Sequence, residues 1–186
     1  VSLFIESGKT TALVGPSGCG KSTIASLLMR FLEPDEGFMT LDGRPYTEYD
    51  IDRLRSRMVM VPQKVGLFSG TVRENLLIAD SSAAEEELWQ AVRDAGLASF
   101  LEALPNGLDT DVGNAGARLS GGQRQKLGIA RALLSKADII LFDEATSSVD
   151  QESEEDIWAC IRELEKTHTV IIISHRLSTI RRSDCI

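Results

Sequence analysis

The chain has 186 residues, 42% of them hydrophobic and 26% charged, with a formal net charge of −8. That length suits one globular domain with a sizeable core. The longest apolar runs, such as Ile139–Phe142 and Val170–Ile173, fall far short of the ~20 residues that a membrane helix needs. The acidic balance, with no dense Lys/Arg stripe, argues against nucleic acid as the main partner. Cys19, Cys160 and Cys185 lie far apart and form no CxxC pair, so no zinc pattern or disulfide framework is readable and a reducing compartment fits. The chain starts at Val1 with neither methionine nor signal peptide, and reads as a piece of something longer.

In chain order, Thr11–Val14 predicts a buried strand. Lys21–Leu32 predicts a helix, with Ile24, Leu27, Leu28 and Phe31 on helical spacing and Pro34 as its stop. Phe38–Leu41 predicts a strand and Asp42-Gly43 a turn, and Met58–Val61 predicts another short strand. Thr71–Ser135 holds helical patches and turns. Ser82-Ala-Ala-Glu85 has the form of a capping box opening a helix whose inner face is Leu88, Ala91 and Val92. A further helix is expected over Gly121–Leu134. Ile139–Phe142 and Val170–Ile173 are apolar strands flanking a polar helix near Gln151–Lys166. Strand, helix, strand with apolar strands implies a mostly parallel sheet covered by helices, and the middle stretch reads as a helical insertion.

Gly15-Pro16-Ser17-Gly18-Cys19-Gly20-Lys21-Ser22 matches the phosphate-binding pattern G-x-x-x-x-G-K-[ST]. The glycines let backbone N–H groups approach phosphates, and the helix starting at Lys21 aims further N–H groups at the same spot. Lys21 can reach the β- and γ-phosphates, and Ser22 can ligate Mg²⁺. The competing reading is a glycine-rich turn that only caps a helix; the strand before and the helix after it weigh against that. Cys19 reads either as a small spacer whose amide alone matters, or as a thiol activated by the helix terminus and Lys21.

Ile139-Ile-Leu-Phe-Asp143-Glu144 is an apolar run ending in two carboxylates. A buried parallel strand delivers Asp143 to the edge where α/β folds bind ligands. There Asp143 would hold Mg²⁺ and Glu144 would orient and deprotonate an attacking water. A helix cap or a surface ion pair is the alternative for the same two residues. Gln63, after Met58–Val61 and Pro62, reads as an exposed loop glutamine or as a contact to Mg²⁺ or water. His175, after Val170–Ile173 and Ser174, reads as a surface histidine or as a hydrogen-bond partner of a γ-phosphate. His168 has no readable role. Leu119-Ser120-Gly121-Gly122-Gln123 opens the Gly121–Leu134 helix: Ser120 and Gln123 form an S-x-x-Q capping box, and the glycine pair leaves N–H groups exposed at a second helix N-terminus. Two such anion sites on one chain make sense if two copies face each other.

With these motifs the sequence closely resembles, over essentially its whole length, the nucleotide-binding domain of exporter-type ATP-binding-cassette (ABC) transporters. GPSGCGKS resembles the Walker A loop, Gln63 the Q-loop, LSGGQ the signature and ILFDE the Walker B strand with its catalytic glutamate. Ser147-Ser-Val-Asp150 falls at the D-loop and Ser174-His175-Arg176 at the switch histidine. Leu67–Asn75 is similar to the exporter form of the region after the Q-loop.

The resemblance implies an α/β fold: a P-loop NTPase (RecA-like) core with a mostly parallel sheet, residues 1–70 and 136–186, and an inserted α-helical signature subdomain, residues 71–135. It implies ATP and Mg²⁺ as cofactors. ATP binding falls to Gly15, Pro16, Ser17, Gly18, Cys19, Gly20, Lys21, Ser22, Thr23, Gln63, Asp143, Asp150, His175 and, from a facing copy, Ser120, Gly121, Gly122 and Gln123. The metal falls to Ser22, Gln63 and Asp143, and catalysis to Glu144, His175, Gln63 and Lys21. The implied partners are a second nucleotide-binding domain, of the same or a related chain, head to tail, and the transmembrane domain of an exporter on the cytoplasmic face of a membrane.

The sequence departs from the family's pattern at Asn114, where exporters usually carry a glutamate, and the adenine-stacking aromatic of the family is not Phe4. A non-transport ABC ATPase acting on DNA or ribosomes would call for long arms or basic surfaces, and this acidic chain has neither. A binding-only domain is opposed by Glu144, His175 and the intact LSGGQ.

Overall fold

The computed structural model describes residues 1–146, 149–175 and 183–186, and for residues 151 and 152 the backbone alone. Ser147, Ser148 and Arg176, on which parts of the expected D-loop and switch fall, lie outside the described residues. The ordered elements are β1 Thr10–Val14, α1 Lys21–Leu28, β2 Thr40–Leu41, β3 Arg44–Pro45, α2 Ile51–Ser56, β4 Met58–Val61, α3 Val72–Leu77, α4 Glu85–Asp94, α5 Ala98–Glu102, α6 Gly121–Leu134, β5 Ile139–Asp143, α7 Gln151–Leu164 and β6 Thr169–Ser174.

The four long strands form one sheet in the order β1-β6-β5-β4, every pair parallel. The registers align the strand ends: Val14 pairs Ser174, Asp143 pairs Ile173 and Val61 pairs Phe142. The segments after β1, β4, β5 and β6 therefore leave the sheet along one edge. On the outer side of β1, Thr11 bridges Cys185 in parallel and Ala12 N–H donates to the Cys185 carbonyl at 2.9 Å.

Both faces of the sheet are buried, which is why its strands read as continuous apolar runs. On one face Leu141, Ile171 and Ile173 pack with Ala25 of α1. On the other, Val61, Ile140, Phe142, Val170 and Ile172 join a core built with α3, α4, α6 and α7. Side chains alternate between faces at period two along each strand. A small third cluster, Met29, Leu41, Tyr46, Leu54 and Met58, sits under the β2–β3 hairpin. That hairpin turns at Asp42 (φ 52°) and Gly43 (φ 77°), the positive-φ pair that tight hairpins require.

Three local expectations need correction. The first helix ends at Leu28 instead of Leu32. Arg30 takes a positive φ of 52°, and the Phe31 and Leu32 N–H groups fold back onto the Ser26 carbonyl. Phe31 then lies exposed beneath the Arg55 guanidinium, 5.1 Å from its ring centre, and the buried residue of α1 is Ala25. Only Thr40 and Leu41 of the expected strand 38–41 pair, and Phe38 is 86% exposed. The box at Ser82–Glu85 does not form: Ser82 donates its hydroxyl to Asp80 at 2.7 Å, and the helix starts at Glu85 after Ala84, whose N–H donates to Glu87 at 2.9 Å. The inner face Leu88, Ala91 and Val92 is buried as expected. Among the described residues no helix is long and apolar enough to cross a membrane.

Candidate functional site

The loop between β1 and α1 wraps around its own lysine. Gly18 (φ 81°) and Gly20 (φ 98°) take left-handed conformations that a side chain disfavours, and Gly20 stands at the N-cap of α1 with no side chain capping it. The Lys21 ammonium donates to the carbonyls of Gly15 at 2.7 Å and Pro16 at 3.0 Å, and lies 3.8 Å from Cys19 Sγ. The first N–H groups of α1 have no acceptor within the helix. No acidic side chain lies in that first turn.

Ser17, Gly18, Gly20, Lys21, Ser22, Thr23, Glu144 and His175 line one cleft of about 500 Å³. Glu144 follows β5 directly. Its N–H still bonds the Ile173 carbonyl at 2.9 Å, and its backbone then turns to φ 50°, unusual for a residue with a side chain. That turn lifts the chain out of the sheet where the carboxylate meets the cleft. His175 leaves β6 beside it, with Nδ1 3.1 Å from Glu144 Oε1. A carboxylate only accepts, so Nδ1 is the donor in this contact. Asp143, the last residue of β5, pairs with Ile173 and is half-buried. Burial pushes its carboxyl above the ordinary range, Glu144 adds to the rise, and the Lys21 charge opposes it. Gln63 is exposed just beyond β4, on the same sheet edge, and is not among the cleft's lining residues.

The expected S-x-x-Q box at the start of α6 is formed. Ser120 Oγ accepts from Gln123 N–H at 3.2 Å, and Gln123 Oε1 accepts from Ser120 N–H at 2.8 Å. Ser120 is exposed and Gly122 buried. None of Ser120, Gly121, Gly122 and Gln123 lines the cleft. Asp150, at the N-cap of α7, accepts from Ser153 N–H at 2.9 Å.

Several polar side chains that sequence reasoning passed over tie α6 to the segment after Gln63. Gln125, buried in α6, donates to the Pro62 carbonyl at 3.3 Å. Arg131 donates to the Gly66 carbonyl at 2.6 Å, to the Asn75 carbonyl at 2.8 Å and to Asn75 Oδ1. Asn75, 1% exposed, also donates to the carbonyls of Phe68 and Thr71, both at 2.9 Å. The readable signal was a polar residue on an otherwise apolar helical face; finding its partners needed the fold.

The ABC transporter family model matches residues 1–147. An ATP-dependent lipid A-core flippase of Chromobacterium violaceum is 48% identical over 184 residues, 99% of this chain and 32% of that protein. The uncharacterized ABC transporter ATP-binding protein YwjA of Bacillus subtilis is 46% identical, again over 99% of this chain and 32% of its own length. The chain thus spans about a third of the curated relatives it matches. A solved bacterial Atm1-family ABC exporter with ATP bound superposes with a TM-score of 0.89 at 43% identity, over 97% of this chain and 32% of that one. An all-parallel sheet, a lysine-wrapping loop at its edge and a family match running from the first residue through Glu144 lead to one conclusion: the chain belongs to the ABC transporter family, as its ATP-binding domain.

Proposed function

We propose that this chain is the ATP-hydrolysing motor of an exporter, pairing head to tail with a second nucleotide-binding domain and driving a transmembrane domain from the cytoplasmic face of the membrane. Residues 1–70 and 136–186 form the ATP-binding core in this reading, and residues 71–135 the signature subdomain. The observation that carries it is the convergence of the loop glycines, Lys21, Glu144 and His175 on one cleft, while the Ser120–Gln123 helix start stays outside it.

The backbone N–H groups of the loop from Gly15 to Thr23, all but Pro16, which has none, cradle the phosphates, and Lys21 gives up its carbonyl contacts to bind phosphate oxygens. Ser22, Gln63 and Asp143 offer hydroxyl, amide and carboxylate oxygens, a hard set that suits Mg²⁺. Among the described residues no group of three or more His, Cys, Asp and Glu could hold a metal. Mg²⁺ needs none, since one or two carboxylates suffice when phosphates and waters fill the rest of its shell. When bound, Mg²⁺ supplies charge that offsets the build-up on the phosphates. Asp143 then gains a counter-charge for a carboxylate that burial disfavours.

Glu144 takes the proton of the attacking water, and His175 holds the Glu144 carboxylate in place through Nδ1. A neutral His175 in this contact leaves Nε2 as an acceptor. It reaches a phosphate as donor only as the imidazolium, or after releasing Glu144. Ser120, Gly121, Gly122 and Gln123 complete the site of the facing copy, and Asp150 lies at the same junction.

The test is Glu144→Gln in the full transporter. ATP binding persists, while turnover falls by about 10²–10⁴-fold, the usual loss of a general base. Near-normal turnover overturns the assignment.

A further inference from the structure

The N-terminal turns of α6 and α7 abut. Asp150 caps α7 and holds Ser153 twice, accepting from its N–H and from its hydroxyl, each at 2.9 Å. Ser153 presents its side chain to Gly122. A Cβ built on Gly122 would stand 2.5 Å from Ser153 Oγ and 2.7 Å from Ser153 Cβ, closer than side-chain atoms approach one another. The obstacle is not the far end of a long flexible chain. It comprises the first two atoms of a short one, fastened by its bonds to Asp150. Nor does the backbone demand glycine here, because Gly122 is not among the positive-φ residues. What excludes a side chain at 122 is Ser153 of the same chain.

We propose that Ser153 is a positioning residue: it locks the glycine turn at the start of α6 to the cap of α7, fixing the N–H groups of Ser120–Gly122 relative to Asp150. The proposal rests on the reading above, in which those groups serve ATP hydrolysis. It gives Gly122 a role inside its own chain, separate from any approach of a facing nucleotide.

The test is a mutant cycle in the full transporter: Gly122→Ala, Ser153→Gly, the pair together, and Gly122→Ala with Ser153→Ala. Gly122→Ala lowers kcat by about tenfold or more, as expected when overpacking displaces the N–H groups that complete the facing ATP site. Ser153→Gly in the same chain restores kcat to within about threefold of Ser153→Gly alone. Ser153→Ala does not restore it, because the obstructing Cβ at 2.7 Å remains. The same cycle read by Tm is non-additive in the same direction. A double variant as slow as Gly122→Ala, additive Tm shifts, or a Gly122→Ala protein with normal turnover each overturns the proposal. An inactive wild-type protein would count instead against the ATPase reading, and the Tm cycle, which needs no turnover, still decides the Ser153 contact.

Discussion

Replacing Arg131 with methionine removes the polar tie between α6 and the turn after β4 while keeping most of the side chain's bulk. Three donor contacts are lost, to the Gly66 carbonyl, the Asn75 carbonyl and Asn75 Oδ1. Hydrogen bonds from a charged donor contribute about 1.5–3 kcal/mol each. Part of that is offset, because the guanidinium is half-buried and burial alone lowers its pKa. Net destabilisation is therefore about 2–4 kcal/mol, below the simple sum of three bonds. A domain of this size loses roughly 2–4 °C per kcal/mol, so the melting midpoint falls by about 4–16 °C. Arg131→Lys recovers only part, since an ammonium's three donors diverge from one nitrogen and do not match acceptors set for a planar fork. Thermal unfolding followed by far-UV circular dichroism measures the loss. Hydrogen exchange at Phe68, whose N–H donates to Asn75 Oδ1 at 3.0 Å, locates it. An Arg131→Met protein within ~0.5 kcal/mol of wild type, the range of ordinary surface changes, would mean that these bonds contribute no net stability.

Asp143→Asn is expected to raise the stability of the nucleotide-free protein at pH 7 and to impair ATP turnover, both measurable on one sample. The folded-state pKa of Asp143 lies above its ordinary 3.8, so the folded state binds the proton more tightly than the unfolded one. The ionised carboxylate thus costs stability at neutral pH; the cost disappears as pH falls through the folded pKa towards 3.8, and the variant's advantage shrinks with it. An advantage that grows on acidification would contradict the sign. Cys19 is exposed beside the Lys21 ammonium, so alkylating it places bulk in the phosphate loop. N-ethylmaleimide should block ATP binding and ATP-Mg²⁺ should slow the modification; equal rates with and without nucleotide would refute this.

The sheet and the cleft were legible for a physical reason: a parallel strand buried on both faces is a run of apolar residues, and each run stops one or two residues before a proposed site residue. Met58–Val61 pairs over the predicted residues, and the Ile139–Phe142 run continues one residue further, to Asp143. The signature box formed because Ser120 and Gln123 need only each other. Failures came where a local pattern lost to a neighbour. Phe31 keeps helical spacing, yet the chain has already turned at Arg30, whose guanidinium is drawn to the Tyr46 and Tyr49 carbonyls at 3.0 Å each. Ser82 had the form of a cap but found Asp80 first. The Arg131–Asn75 tie and the Gly122–Ser153 contact join residues far apart in the chain, and no spacing rule connects them.

In the proposed head-to-tail pair, each ATP is held between the phosphate loop of one domain and the glycine turn of another. Disulfide crosslinking measures it directly, in a full transporter whose other cysteines are replaced and which carries Ser17→Cys and Ser120→Cys. ATP-dependent bridges should form between two polypeptides, seen as a product of summed mass on a non-reducing gel. Bridges confined within one polypeptide, or none while ATP is bound, would contradict this pairing.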